Sequence, residues 1–193
     1  MSQPKMGVLD LEQQLLSYAS YHHNPHNILI HLFGVPGIMF TGFLLATNTP
    51  SLLDLPYIPL NLGGIGSIVF AVFYILMEPV AGLLFAPLIA GMMVLVNHLT
   101  ATYGATAVWW AWCGFLGSWV VQFIGHGVFE KRAPAILDNP IQPILLAPFF
   151  VWFEILFYFG YRPELQARIE EKVVLELKRL QDEKASKDSK KKA

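Results

Sequence analysis

The chain has 193 residues, 54% of them hydrophobic and 14% charged, so it has room for one domain and falls outside the composition of an ordinary soluble globular protein. Its net charge of −1 conceals an asymmetry, because no lysine or arginine lies between Lys5 and Lys131 while twelve of the thirteen fall from Lys131 onward. The near-neutral balance excludes any inference about partners from charge, and the composition points to a membrane protein.

The opening "MSQPKMGVLDLEQQ" lacks a basic region followed by an apolar core, so no signal peptide is expected and insertion relies on internal spans. Residues 7 to 23 then predict an amphipathic helix, since Leu11, Leu15, Tyr18 and His22 are spaced to share one face. Asn24 followed by Pro25 supplies a cap and a first-turn proline for a second helix. That helix carries His26, Asn27 and His31 and stays apolar to about Ala46.

Three further apolar runs cover roughly 60 to 77, 80 to 97 and 104 to 125, each close to the ~20 residues that cross a hydrocarbon core. "MEPV" at 77 to 80 makes the first two a hairpin, and small residues such as Gly63, Gly64, Gly66, Gly82, Ala86 and Gly91 allow close helix approach. Cys113, the single cysteine, cannot form an internal disulfide and reads as a small packing residue. Glu78, in the hairpin turn, reads as solvated or as a cap.

Residues 141 to 160 are apolar but crowded by Pro140, Pro143 and Pro148 and carry Glu154, which favours a re-entrant or interfacial segment over a spanning helix. Leu165, Ile169, Val173, Leu177 and Leu180 form an apolar stripe on a charged helix, and "KASKDSKKKA" is expected to be disordered. The expected fold is all-α: a polytopic membrane helical bundle of about four spans, with a re-entrant or interfacial segment and amphipathic terminal helices. Residues 1–165 form a membrane-embedded catalytic domain, and 166–193 an amphipathic helix with a disordered basic tail.

The loops at about 48 to 59 and 98 to 103 contain no basic residue, whereas "FEKRAP" and the tail are basic, so the positive-inside rule puts the latter in the cytosol. Four spans then bring His22, His23, His26 and His31, where the first begins, to the same face as His126, where the fourth ends. Only His98 is left at the opposite face. Lys190 and Lys191 also fit a cytosolic dilysine signal for return to the endoplasmic reticulum.

In "WVVQFIGHGVFEKRAP" the spacing of four puts Gln122, His126 and Glu130 on one helical face, and Gly125 and Gly127 leave room beside His126. A lone histidine at a membrane edge is usually an interfacial hydrogen-bonding group, but topology brings a second cluster to the same depth. His22, His31 and His126 come from three helix ends and suit a mononuclear non-haem Fe(II) site, with Glu130 as fourth ligand or orienter. Whether His22 or His23 faces inward stays open, since they are about 100° apart on a helix. Asn27 and Gln122 are candidates for supporting roles. Zinc suits the ligand types, but no hydrolytic constellation accompanies them. Arg132 is suited to a substrate carboxylate, although Lys131 and Arg132 also read simply as the basic flank of a span. A non-catalytic lipid-binding or scaffold protein and a zinc-dependent lipid hydrolase are the competing classes. Phosphate-binding glycine loops, dinucleotide fingerprints and nucleophile elbows are missing from the sequence, and no nucleic-acid partner is expected.

The segments "YHHNPHNILIHLFGVP" and "QFIGHGVFEKRAPAILDN" resemble the paired signatures of a family of small endoplasmic reticulum membrane proteins whose fungal member is a 2-hydroxy fatty acid dioxygenase of fatty acid α-oxidation. The resemblance runs from about residue 8 to 165. It implies an Fe(II)-dependent enzyme that uses O2 to shorten a long-chain 2-hydroxy fatty acid by one carbon, including acids from phytosphingosine breakdown. By position it implies functional roles for Tyr21, His22, Asn27, His31, Gly125, His126 and Glu130. His23 matches the fungal form of the motif, His26 is not required by it, and Ala133 stands where an arginine is common.

Overall fold

The computed structural model describes residues 7–55, 57–131, 133, 134, 136 and 141–192. These residues form seven α-helices and one π-helical turn, with no strand among them. Helix α1 (Leu11–Tyr21) begins at Asp10, whose carboxylate accepts the Gln13 amide at 3.1 Å. Helix α2 (Pro25–Thr47) begins as its sequence directs: the Asn24 side chain accepts the His26 amide at 3.0 Å and Pro25 takes the first turn.

Helices α3 (Leu62–Met77) and α4 (Pro79–Tyr103) form the expected hairpin, and Glu78 ends one and caps the other, accepting the Ala81 amide at 2.5 Å. Glu78 is buried rather than solvated, because Tyr161 also donates to it at 3.1 Å and Arg162 lies 3.7 Å away. A Cβ at Gly82 would lie 2.5 Å from the Ile75 backbone, so the hairpin closes only because glycine stands there.

Helix α5 (Ala105–Gly125) runs antiparallel to α2. Gly34 meets Gln122, Gly37 meets Ser118 and Thr41 meets Gly114 along the seam. It passes into the π-turn His126–Glu130, which Lys131 ends in the left-handed conformation with φ +51°. Helix α6 (Ile141–Tyr158) packs across the hairpin. Phe149 stacks on Tyr74 at 4.5 Å, the Tyr74 hydroxyl donates to the Leu145 carbonyl at 2.8 Å, and the Trp152 indole donates to the Ala81 carbonyl at 3.1 Å. Helix α7 (Pro163–Lys192) returns along α1, where Arg168 and Lys172 hold Glu12 at 3.2 and 2.5 Å.

The outer faces of α3, α4 and α5 are apolar: Val72, Leu76, Leu83, Trp110, Leu116 and Val120 are all about half exposed or more. So continuous an apolar surface requires lipid around it, and the fold is a helical membrane bundle. Among the described residues three helices are long and apolar enough to cross a membrane, α2, α4, and α5 with its π-turn, and the bent pair of α6 and α7 makes a fourth if it counts as one span. Helix α3, at 16 residues, spans about 24 Å, less than the ~30 Å hydrocarbon core, so it is shorter than the run from 60 to 77 suggested.

Residues 141–158 are helical in spite of Pro148, and α6 then turns through 116° into α7, the bend of a broken span or of the re-entrant segment expected there. Two further expectations meet a different outcome. The segment expected to be disordered continues α7 to Lys192, being free of proline and glycine and rich in good helix formers. Cys113 is exposed on the outer face of α5 and is not packed between helices.

Candidate metal centre

The predicted stripe on α1 is realised, with Leu15 and Tyr18 buried and His22 following the last turn on the same side. His31 comes from the second turn of α2, and His126 from the junction of α5 with its π-turn, a feature that recurs at functional sites. The three rings meet edge-on, their centroids 4.3, 4.7 and 4.9 Å apart, and one nitrogen of each lies within 4.8 Å of the others. His31 and His126 are 3% and 4% exposed.

Two of the tautomers follow from hydrogen bonding. His22 Nδ1 lies 2.8 Å from the Tyr18 carbonyl and His31 Nδ1 lies 2.9 Å from the Asn27 carbonyl. A carbonyl only accepts, so both Nδ1 atoms carry the proton and both Nε2 lone pairs are available, the usual arrangement behind metal-bound imidazoles. Burial, with His31 beside it, holds the His22 imidazole well below its ordinary pKa, so it is neutral at pH 7 and able to bind a cation. Ligand nitrogens around a metal at ~2.1 Å sit about 3–4 Å apart, a contraction that side-chain torsions can supply. Three imidazoles facing a cavity fit a metal that keeps positions open for substrate, and among the described residues no other group of histidine, cysteine or carboxylate ligands gathers this way.

Glu130 does not join the cluster. Its Oε1 accepts from the His23 amide at 3.1 Å, the Asn24 amide at 3.0 Å and the Asn27 side chain at 3.0 Å, while Oε2 pairs with His23 Nδ1 at 2.8 Å. It thus fastens the π-turn to the start of α2, and through fully buried Asn27 it fixes the carbonyl that orients His31. Gly125 makes this possible, since a Cβ there would lie 2.5 Å from Asn27 Oδ1. Glu130→Ala is therefore expected to weaken metal binding by about 10–100-fold and to lower the melting temperature, read by metal titration and thermal unfolding in detergent.

The choice between His22 and His23 is resolved in the structure, because His22 turns inward whereas His23 pairs with Glu130 and its side chain is 45% exposed. His26 stacks on Phe129 at 5.2 Å, away from the cluster. Gln122 lines the cavity beside the histidines, and Arg132 lies outside the described residues. Tyr18 went unassigned in the sequence reading. Its ring stacks on His22 at 4.1 Å, and the signal available was its place one turn earlier on the same stripe.

The cavity beside the cluster has a volume of about 530 Å³. One wall is the α2 face His31, Val35, Ile38, Met39, Gly42 and Phe43, and the facing wall is Phe115, Trp119, Gln122, Phe123 and His126 from α5. Because the two helices are antiparallel, the histidines lie at one end of the cavity and Phe43 and Phe115 at the other. No Lys, Arg, Asp or Glu is among its described lining residues.

A family model described as 2-hydroxy-palmitic acid dioxygenase Mpo1-like matches residues 8–159, which include all three histidines and the cavity walls down to Phe150. The chain belongs to the Mpo1-like family. A curated relative from Saccharomyces cerevisiae, named 2-hydroxy-palmitic acid dioxygenase MPO1, is 40% identical over 166 residues, covering 85% of this chain and 90% of the relative. No solved structure matches the chain. In this Mpo1-like chain the histidine cluster and the apolar cavity thus lie within the part that the family model matches.

Proposed function

We propose that the chain is an Fe(II)-dependent dioxygenase that converts a long-chain 2-hydroxy fatty acid and O2 to the fatty acid one carbon shorter, CO2 and water. The observation that carries this reading is a three-histidine cluster at one end of an otherwise apolar cavity, in a chain similar to a named 2-hydroxy-palmitic acid dioxygenase. Fe(II), when bound, supplies the chelation of the hydroxy acid and the activation of O2. The bond between carbons 1 and 2 is cleaved, and the substrate supplies all four electrons, so no 2-oxo acid cosubstrate enters.

The chain's own residues do the rest. His22, His31 and His126 would hold the metal, the first two through Nε2, because the Tyr18 and Asn27 carbonyls keep those two rings in the required tautomer. The cavity wall from His31 to Phe43 covers 13 residues of α2, a rise of about 18 Å, the length of an extended chain of roughly fourteen carbons. Burying each methylene there contributes ~0.8 kcal/mol, so chain length sets affinity while the head group sets the reacting bond.

Residues 1–165 then act as the membrane-embedded catalytic domain and 166–193 as an amphipathic helix that ends in a basic tail. The basic residues from Lys131 onward favour a multi-pass protein of the endoplasmic reticulum membrane with the metal centre and C-terminus cytosolic. The side chains of Lys190 and Lys191, on which a dilysine signal depends, lie outside the described residues.

Metal exchange tests the reading. Chelation should abolish turnover of 2-hydroxypalmitate, Fe(II) should restore it, and Zn(II) should occupy the site without restoring it. Activity of the zinc form, with hydrolysis and no O2 consumption, would establish the lipid hydrolase class instead.

A further inference from the structure

A carboxylate entering a cavity without a described cationic side chain needs hydrogen-bond donors there, since an unpaired charge in an apolar wall is strongly disfavoured. Two buried donors at the histidine end have no hydrogen-bond partner among the described residues: the Tyr18 hydroxyl and the Gln122 side-chain Nε2. Both atoms are shielded from solvent, and their residues are 8% and 6% exposed. Native interiors rarely leave such groups unpaired, and one that lines a cavity is accounted for by whatever fills the cavity.

Their placement is specific. Tyr18 stacks on His22 with ring centroids 4.1 Å apart and planes 18° apart, so it approaches the cluster from α1. Gln122 precedes His126 by one turn of α5 and packs on Gly34, where a Cβ would lie 3.1 Å from its Cγ, so it approaches from the opposite wall, one turn below His31. Its terminal amide can rotate to present either end, and presents N–H to an anion.

We infer that the Tyr18 hydroxyl and the Gln122 amide together form the receptor for the substrate carboxylate, each donating to it from one side of the histidine cluster. This rests on the 2-hydroxy acid reading above and adds to it residues that select an acid over an alcohol of the same length. Neutral donors suit the position, since a metal on the three histidines would already bring the positive charge and a fixed cation would compete with it.

The test uses the full-length protein in detergent, metal-free and also Fe(II)-loaded under anaerobic conditions, with two probes: 2-hydroxypalmitate and hexadecane-1,2-diol, which replaces the carboxylate by a neutral alcohol. Tyr18→Phe and Gln122→Met should each weaken binding of the acid about tenfold or more, as expected for a hydrogen bond to a charged group, and leave the diol within about twofold. The ligand-free variants should melt at or above the wild-type temperature, because the removed groups have no protein partner. Wild-type affinity for the acid in both variants, an equal loss for acid and diol, or a marked fall in ligand-free melting temperature would overturn the receptor while leaving the dioxygenase reading intact. Failure of the wild-type protein to bind the acid would overturn both.

Discussion

His126→Ala and His31→Ala proteins are expected to lose 2-hydroxy acid turnover below detection and to lose stoichiometric iron, while remaining folded. Each histidine is one of the three proposed ligands, and disturbing even the groups behind a ligand costs about 10–100-fold in metal affinity, so removing the ligand itself costs more. The bundle tolerates the change because it is held elsewhere, by the α2–α5 seam, the α3–α4 hairpin and the α6 aromatics stacked on Tyr74. His23→Ala is the internal control. Its ring is 45% exposed and pairs with Glu130, so it should keep iron and most turnover at a reduced melting temperature. Iron content by elemental analysis, alongside product formation, separates these cases, and an alanine variant of His31 or His126 that kept wild-type turnover would remove that residue from the ligand set.

The second large effect concerns chain length. Gly42 lies 11 residues beyond His31 on the cavity face of α2, about 16 Å along the helix, and a Cβ there would meet only the Phe115 ring, at 3.6 Å. Gly42→Leu therefore fits the fold but fills the far end of the cavity. Losing two to three buried methylenes from the bound chain at ~0.8 kcal/mol each should lower kcat/KM for 2-hydroxypalmitate by about 10–50-fold. Acids of about twelve carbons or fewer should be turned over nearly as before. A panel of 2-hydroxy acids of increasing length checks this, and an unchanged length profile would place the acyl chain elsewhere.

Local rules made much of the architecture legible. Asn24–Pro25 announced the start of α2, "MEPV" the hairpin, and Gly82 the close approach of its arms, whereas Gly91, equally small, meets nothing within 4 Å and is simply a lipid-facing residue. The convergence of His22, His31 and His126 followed from counting spans, because an even number of crossings returns the chain to one face. Periodicity could not separate His22 from His23. That depends on where α1 ends, at Tyr21, and on the backbone carbonyl that captures His22 Nδ1.

The spacing of four linked Gln122, His126 and Glu130, but the π-turn and the amides of residues 23 and 24 redirect Glu130 toward the start of α2, a tertiary contact more than a hundred positions away in sequence. The pairing of α7 with α1 through Glu12 is equally long-range and left no local trace. In the sequence Tyr18 is one of four residues spaced to share a face of α1. Only the cavity and its unpaired hydroxyl give it chemical meaning.

The most direct test of the account is oxygen uptake by purified, Fe(II)-loaded protein on addition of 2-hydroxypalmitate, with the acid product identified by mass spectrometry. A 2-hydroxy acid dioxygenase consumes one O2 and forms one pentadecanoic acid for each substrate lost, with no added cosubstrate. Folded, iron-loaded protein that consumes no oxygen with either the free acid or its acyl-CoA form would contradict the account.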